Sequence, residues 1–387
     1  MNAQTRQKLR VAVVGAGPAG AACAAALHAA GVAVTVFEKS RGVGGRMATR
    51  RTRYTDARGH EQAVHFDHGA QHVQARDPGF LIVMQTGVAA GGATPWPLHL
   101  RGVSVASASV SGSASVTAVS PEPETRFLPL PGMPAFCQHL LRGSAVQLQH
   151  TVVGLLPQAK GGYVLRFAEH GAAAPGAPHD DASHFDQVVL AMPPPQAAAL
   201  LTSLHPVWSQ ALLQKVMRPC WTLMVVTDAP EPASDAARAM EWDAAVPADG
   251  PLVWVSRNDR RPGRATPAGT VSWVAQASAA WTEQHLEDDA PQVTQALLAA
   301  LFQVLGAAAT PVPRVHLSAV HRWRYALAVP AQAIASDEAA QPWWDPCLGL
   351  GVCGDSLLGT DVEAAWRSGD SLAQALLAAL RSRSTEA

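Results

Sequence analysis

At 387 residues with a net charge of −1, the chain is long enough for two domains and its charge implies no polyanion surface, so no nucleic-acid partner is expected. No run of eighteen or more uncharged apolar residues has the Leu/Ile/Phe content of a membrane span, so no membrane partner is expected either. The five cysteines (Cys23, Cys137, Cys220, Cys347, Cys353) are odd in number and form no CxxC pair, which argues for free thiols in a reducing cytoplasm.

Residues 11–14 (VAVV) form a short apolar run suited to a buried parallel strand. Gly15-Ala-Gly17-Pro-Ala-Gly20 follows at once. In such a turn the first glycine permits the bend, the second lets the backbone approach a pyrophosphate, and the third lets the helix pack closely on the sheet. Pro18 suits a first helical position, where its missing N–H would be unpaired anyway. The spacing predicts a thin, alanine-rich helix over 19–30, ended by Gly31, and a second strand over 32–37. Glu38 closes that strand, at the distance of roughly 20 residues where a ribose-binding carboxylate is expected. The basic opening MNAQTRQKLR ahead of small apolar residues has the outline of a secretory signal. The Glu38 spacing argues against cleavage, which would destroy the cradle. Gly44-Gly45-Arg46 comes next. Its glycines and arginine suit the phosphates and ribose of a resident dinucleotide. Many flavoproteins with two dinucleotide-binding domains carry GGR here, which favours FAD over NAD.

Four histidines follow, His60, His65, His68 and His72. Asp-His-Gly breaks any helical alignment of them, and no cysteine or further carboxylate completes a set, so loop histidines are expected rather than metal ligands. In GGR flavoproteins a D-x-G-A segment passes the isoalloxazine, and Asp67-His68-Gly69-Ala70 stands in that place. Residues 103–119 read as twisted strands of a second domain, and 134–141 as a short helix. Residues 146–155 and 162–167 read as paired strands, 171–181 as a polar turn, and 185–193 as a strand that ends at a proline run. Between 200 and 314, Trp208, Trp221, Trp242, Trp254, Trp273 and Trp281 recur in segments that read as an antiparallel sheet, and core is the default role of each. Arg257, Arg260, Arg261 and Arg264 read as a solvated basic loop, or a phosphate-contacting one if the substrate is anionic. A helix is expected over 281–306, with Asp288, Asp289 and Pro291 at its start, after which 315–323 returns toward the first domain. Residues 348–353 read as a buried strand meeting Gly354-Asp355, followed by a helix over 363–380. Asp355 is placed to accept hydrogen bonds from ribityl or pyrophosphate-side hydroxyls. The helix start near Asp361 and Val362 is placed at the pyrimidine edge of a flavin, where its partial positive charge stabilises the anionic reduced form. The expected fold is α/β. A Rossmann-type FAD-binding domain comprises 1–80, 126–200 and 315–387, and an antiparallel-sheet substrate domain comprises 81–125 and 201–314.

In this order, EKSRGVGGRMATRR, FDHGAQHVQARDPGF, LPGMPAFCQHL, FDQVVLAMPPPQA, HRWRYA and GVCGDSLLGTDVEAAWRSG resemble the bacterial renalases. These are FAD-dependent oxidoreductases related to amine oxidases, with the p-hydroxybenzoate hydroxylase-like fold. The resemblance covers nearly the whole chain. It departs after DHGAQ, where members usually have an aromatic pair and His72-Val73 stands here. It implies oxidation of misreduced nicotinamide dinucleotides, the 2- and 6-dihydro isomers of NAD(P), with hydride passing to flavin N5 and O2 reduced to H2O2. The implied partners are a small-molecule dinucleotide and O2. A dihydropyridine that loses hydride becomes an aromatic pyridinium directly, so no base is needed, and no residue is assigned a catalytic role. Matching the motifs places FAD at Gly15, Gly17, Ala19, Gly20, Glu38, Lys39, Gly45, Arg46, Met47, Ala70, Gln71, Val152, Gly354, Asp355, Asp361 and Val362. It makes His68, Trp323 and Tyr325 substrate-pocket residues. Arg324-Tyr325 stands near where some amine oxidases attach their flavin through a cysteine, so non-covalent FAD is expected. Two other readings stay open: a flavin amine oxidase on the same fold, and a flavin-binding redox protein without turnover.

Overall fold

The computed structural model describes residues 9–56, 58–103, 116–117, 125–168, 184–231, 240–264, 266–306, 312–329 and 341–385. The strands expected over 103–119 lie outside the described residues except at Val103 and Val116–Thr117, and the 171–181 turn lies wholly outside them. The chain forms two compact units. One comprises Met1–Arg46, Pro134–Val216 and Ala328–Ala387, the other Met47–Met133 and Met217–Leu327.

The first unit is built on a six-stranded sheet. Its spatial order is Ala145–Leu148, Ala33–Glu38, Arg10–Val14, Gln187–Leu190, Leu350–Val352 and Trp343–Asp345. All neighbours are parallel except the last pair. Val11, Ala12 and Val13 are fully buried, as expected of a parallel strand covered on both faces. The helix Pro18–Ala29 presents small side chains, and the C-terminal helix Val362–Thr385 crosses it closely. A Cβ on Gly369 would lie 2.0 Å from the Ala19 carbonyl oxygen, so only glycine allows this approach. The strands Val152–Pro157, Tyr163–Phe167 and His184–Phe185 form a small sheet packed on Phe37. The strand expected over 146–155 is two strands. Ala145–Leu148 joins the parallel sheet, Gln149 turns the chain at φ 59°, and the hairpin begins at Val152.

The second unit holds a seven-stranded sheet in the order Val315–Ala328, Met217–Asp228, Thr270–Ala277, Leu252–Arg257, Ala244–Pro247, Leu100–Val103 and Val116–Thr117. It is antiparallel where expected, but Leu100–Val103 runs parallel to Ala244–Pro247. One face packs Trp221, Trp242 and Trp273 against Leu297 and Leu301 of the helix Ala290–Leu305. The helix expected over 281–306 is two, Ala279–Gln284 and Ala290–Leu305, and Asp289 caps the second by accepting from the Gln292 amide at 2.8 Å. The other face receives the hairpin Thr49–Thr55 and Glu61–Asp67, with Tyr54, Val64 and Phe66 against Met224, Val226 and Val274.

That packing moves the domain boundaries from those expected. Residues 47–80 belong with the second unit because their hairpin buries its apolar side on that unit's sheet. Residues 126–133 and 315–327 belong there too, the latter as the edge strand of the seven-stranded sheet rather than a return to the first unit.

Among the described residues no helix is long and apolar enough to cross a membrane, and no three His, Cys, Asp or Glu side chains are grouped to hold a metal. Burial raises the thiols of Cys23 and Cys137, lifts Cys220 to about 11 and Cys353 to about 12, and leaves Cys347 exposed. Iodoacetamide on the native protein is therefore expected to add one adduct, at Cys347, read by peptide mass. Modification of two or more thiols before unfolding would contradict the packing.

Candidate functional site

In the first unit the strand Arg10–Val14 delivers the chain into the glycine turn, and the Gly15 amide donates to the Phe37 carbonyl at 2.8 Å. Gly17 caps the helix Pro18–Ala29 without a side chain, and a Cβ there would meet nothing within 4 Å. Gly20 has no such room: its Cβ would lie 1.9 Å from the Gly15 carbonyl oxygen. The amides of Ala19 and Gly20 belong to the first helical turn, which has no helical acceptors, so they offer donors to an anion in the open space before Gly17. Glu38, 6% exposed, accepts from the Ala16 amide at 3.0 Å and the Ser40 amide at 2.8 Å. Its carboxylate thus fixes the turn as well as keeping lone pairs for a hydroxyl. Lys39 is exposed beside it.

Gly45 packs over the turn, with its Cβ position 3.3 Å from the Gly17 Cα. Arg46 then pairs with Asp355 through two parallel hydrogen bonds of 2.8 and 2.5 Å. The two halves of the cofactor motif are brought together, and Asp355 meets a guanidinium rather than standing open for hydroxyls alone. The Gly354 amide donates to the Ser368 hydroxyl at 3.0 Å, and Asp361 caps the C-terminal helix by accepting from Ala364 at 2.8 Å. Val152 and Val362 are buried. Open space at Gly17, helix-start amides, a buried carboxylate and a forked guanidinium fit a dinucleotide such as FAD.

In the second unit the segment 65–71 is pinned along its backbone. Asn258 donates to the His65 carbonyl at 2.8 Å, Trp323 to His68 at 3.0 Å, and Gln276 to Gly69 at 2.7 Å. Gln71 donates to the Asp67 and Gly69 carbonyls, and its own oxygens accept from Ser256 and Arg261. Its side chain is therefore occupied in shaping the loop, while Ala70 is half-buried and Met47 is 1% exposed. Beneath lies Asp67, 3% exposed on its side chain, paired with Arg261 at 3.3 Å and with Arg264. The basic loop is thus only partly solvated: Arg261 and Arg264 are buried on Asp67 and Arg257 pairs with Asp259, while the exposed Arg260 pairs with Asp243. Burial lowers Arg261 to about 10, against the pull of Asp67.

Of the predicted pocket residues, His68 and Trp323 meet, with ring centroids 5.1 Å apart, and Tyr325 is half-buried on the same strand. His321, which is not among the predicted pocket residues, stands edge-on to His68 at 4.8 Å. Burial and then the neighbouring His321 drive His68 down to about 4, and burial with Arg50 also lowers His321. Both rings are neutral at neutral pH. His72 is lowered to about 4 by burial and then by Arg126, Arg261 and Arg76.

A model of the NAD(P)-binding Rossmann-like domain matches residues 13–80, and a model of flavin containing amine oxidoreductases matches residues 107–377. Among solved structures, putrescine oxidase bound to putrescine has 15% identity and a TM-score of 0.65, over 96% of this chain and 100% of that one. Cyclohexylamine oxidase from Brevibacterium oxydans IH-35A has 13% identity and a TM-score of 0.68, over 97% and 100%. An oxidoreductase from Methanosarcina mazei has 14% identity and a TM-score of 0.62, over 95% and 100%. At these identities the structures share the fold.

Proposed function

The chain belongs to the family of flavin containing amine oxidoreductases, and from that premise we propose that it is an FAD-dependent oxidase of misreduced dihydro-NAD(P), acting on the 2- and 6-dihydro isomers. Its cofactor is FAD. When bound, FAD supplies the hydride acceptor, and O2 takes the electrons on to give H2O2. In the first unit, the helix-start amides, Glu38 and the Arg46–Asp355 pair would hold the cofactor. In the second unit, segment 65–71 is held along its own backbone by Asn258, Trp323 and Gln276.

The observation that carries the reading is the neutrality of the predicted pocket residues. His68 and His321 are held uncharged beside Trp323, and Asp67, the carboxylate that acts on His68, is tied to Arg261 and Arg264. A histidine lowered to about 4 is a weak base at neutral pH. Hydride loss from a dihydropyridine asks for no base. A second reading, oxidation of an amine, is favoured by the family description and by the amine oxidases among the similar structures.

The test is anaerobic mixing of the FAD-loaded protein with the 1,2-, 1,6- and 1,4-dihydro isomers of NAD, and with putrescine and cyclohexylamine, while flavin absorbance is followed. Fast bleaching by the first two isomers is expected. Fast bleaching by the 1,4 isomer alone would sink the proposal, and bleaching by an amine would install the second reading.

A further inference from the structure

We propose that His72, Trp96 and Trp254, ringed by Arg76, Arg126 and Arg261, form an anion-accepting subsite in the second unit that takes a phosphate or carboxylate group of the substrate. This deepens the function proposed above, on which it rests for the identity of the bound molecule but not for the site itself.

Three rings make a corner rather than a stack. The His72 centroid lies 6.0 Å from Trp96 at a tilt of 54°, and 5.9 Å from Trp254 at 41°. His72 Nδ1 and Trp254 Nε1 are both buried and have no hydrogen-bond partner among the described residues. An indole N–H can only donate, so what Trp254 lacks is an acceptor. The strand that carries Trp254 is irregular at that point, since the register with Thr270–Ala277 shifts between Leu252 and Trp254. The surroundings decide the charge of that acceptor. The charges that act on His72 are Arg126, Arg261 and Arg76, all positive. Arg261 is held with its guanidinium 5.2 Å from the Trp96 ring by its bonds to Asp67 and Gln71. His72 adds to this corner a ring nitrogen that can donate or accept according to its tautomer. Water could serve the indole N–H, but a cationic surround beside that unmet donor favours an anion over water and opposes an ammonium group. The chain would thus be selective for anionic substrates and against simple diamines, on a family fold whose similar structures include amine oxidases.

The test uses the full chain saturated with FAD, so that the cradle in the first unit is filled. Inorganic pyrophosphate and acetate are titrated by calorimetry into the wild type, Trp254→Phe and Arg126→Gln. Trp254→Phe keeps an aromatic ring and deletes only the donor end; Arg126→Gln deletes a charge. Saturable pyrophosphate binding is expected, weakened about tenfold in each variant and by added salt. Putrescine should not displace it. Acetate bound in preference to pyrophosphate would identify the carboxylate as the group taken. Failure of both anions to bind, or binding unchanged in Trp254→Phe with unaltered thermal stability and FAD content, would overturn the subsite. If Arg126→Gln fails to fold, Trp254→Phe decides alone. Flavin bleaching by the dihydro isomers without anion binding removes the subsite and leaves the activity; anion binding without bleaching does the reverse.

Discussion

Asp67→Asn is expected to destabilise the second unit by about 3–5 kcal/mol at pH 7, measured by urea denaturation followed through tryptophan fluorescence. The side chain keeps its shape, so no cavity contributes. What changes is charge: Arg261 and Arg264, with 2% and 6% of their side chains exposed, lose the carboxylate they share. The Thr49 hydroxyl at 2.5 Å and the Met133 amide at 3.4 Å meet the same carboxylate, and the rigid segment 65–71 hangs from Arg261 through Gln71. The pH dependence gives an independent check. Burial pushes the Asp67 carboxyl up, but Arg261 and Arg264 outweigh it and hold it below the ordinary value. The folded pKa is therefore below the unfolded one. The contribution is complete above the unfolded value of about 3.9 and is lost as pH falls through the folded value. The gap between wild type and Asp67→Asn should stay constant from pH 7 to 5 and close only in stronger acid. A variant within about 1 kcal/mol of wild type at pH 7 would show that the cluster is not held by its charge.

Gly17→Ala and Gly20→Ala should part company, although the two glycines lie in one turn. At Gly20 the new Cβ would sit 1.9 Å from the Gly15 carbonyl oxygen and 3.0 Å from the Ala191 Cβ. The helix must move off the sheet, at a cost of about 1–3 kcal/mol or more, and its first amides move with it. Gly20→Ala is therefore expected to lower both the melting temperature without FAD and the affinity for FAD. At Gly17 the backbone is extended, at φ −78° and ψ −178°, and the Cβ meets no protein atom. Gly17→Ala should melt like the wild type without FAD yet bind FAD at least tenfold more weakly, because the methyl occupies space meant for a pyrophosphate. Titration of both variants with FAD by calorimetry, beside their melting curves, separates the two effects. Equal FAD affinity in Gly17→Ala and wild type would mean that no phosphate approaches this turn.

The cradle was legible because its requirements are local. A strand, three glycines, a helix and an acid at fixed spacing can serve few ends, and the Gly354-Asp355 pair before a C-terminal helix narrows them further. The second unit was less legible because its decisive contacts are long-range. Nothing near Arg261 in the sequence announces that Asp67 will bury it, and four arginines in eight positions look solvated. The alternation in Glu61–Asp67 does reveal an apolar side at Val64 and Phe66, but not which sheet that side will cover. Hence the hairpin was expected with the cofactor domain and lies on the other unit. His321 could have been suspected from its place two positions before Trp323 on a strand, where both side chains share a face.

The meeting of Arg46 with Asp355, and of Ala19 with Gly369, also has a consequence in time. Arg46 and Asp355 are separated by 309 positions, and the strands that flank Arg10–Val14 and Gln187–Leu190 are gathered from both ends of the chain. A ribosome releases the first half of the cradle long before it makes the second. Until residues 362–385 are made, the helix Pro18–Ala29 lacks the partner that crosses it at Ala19, and a loop of hundreds of residues is still to close. The first unit is thus a late-completing body, and loss of the helix Val362–Thr385 would uncover the helix Pro18–Ala29.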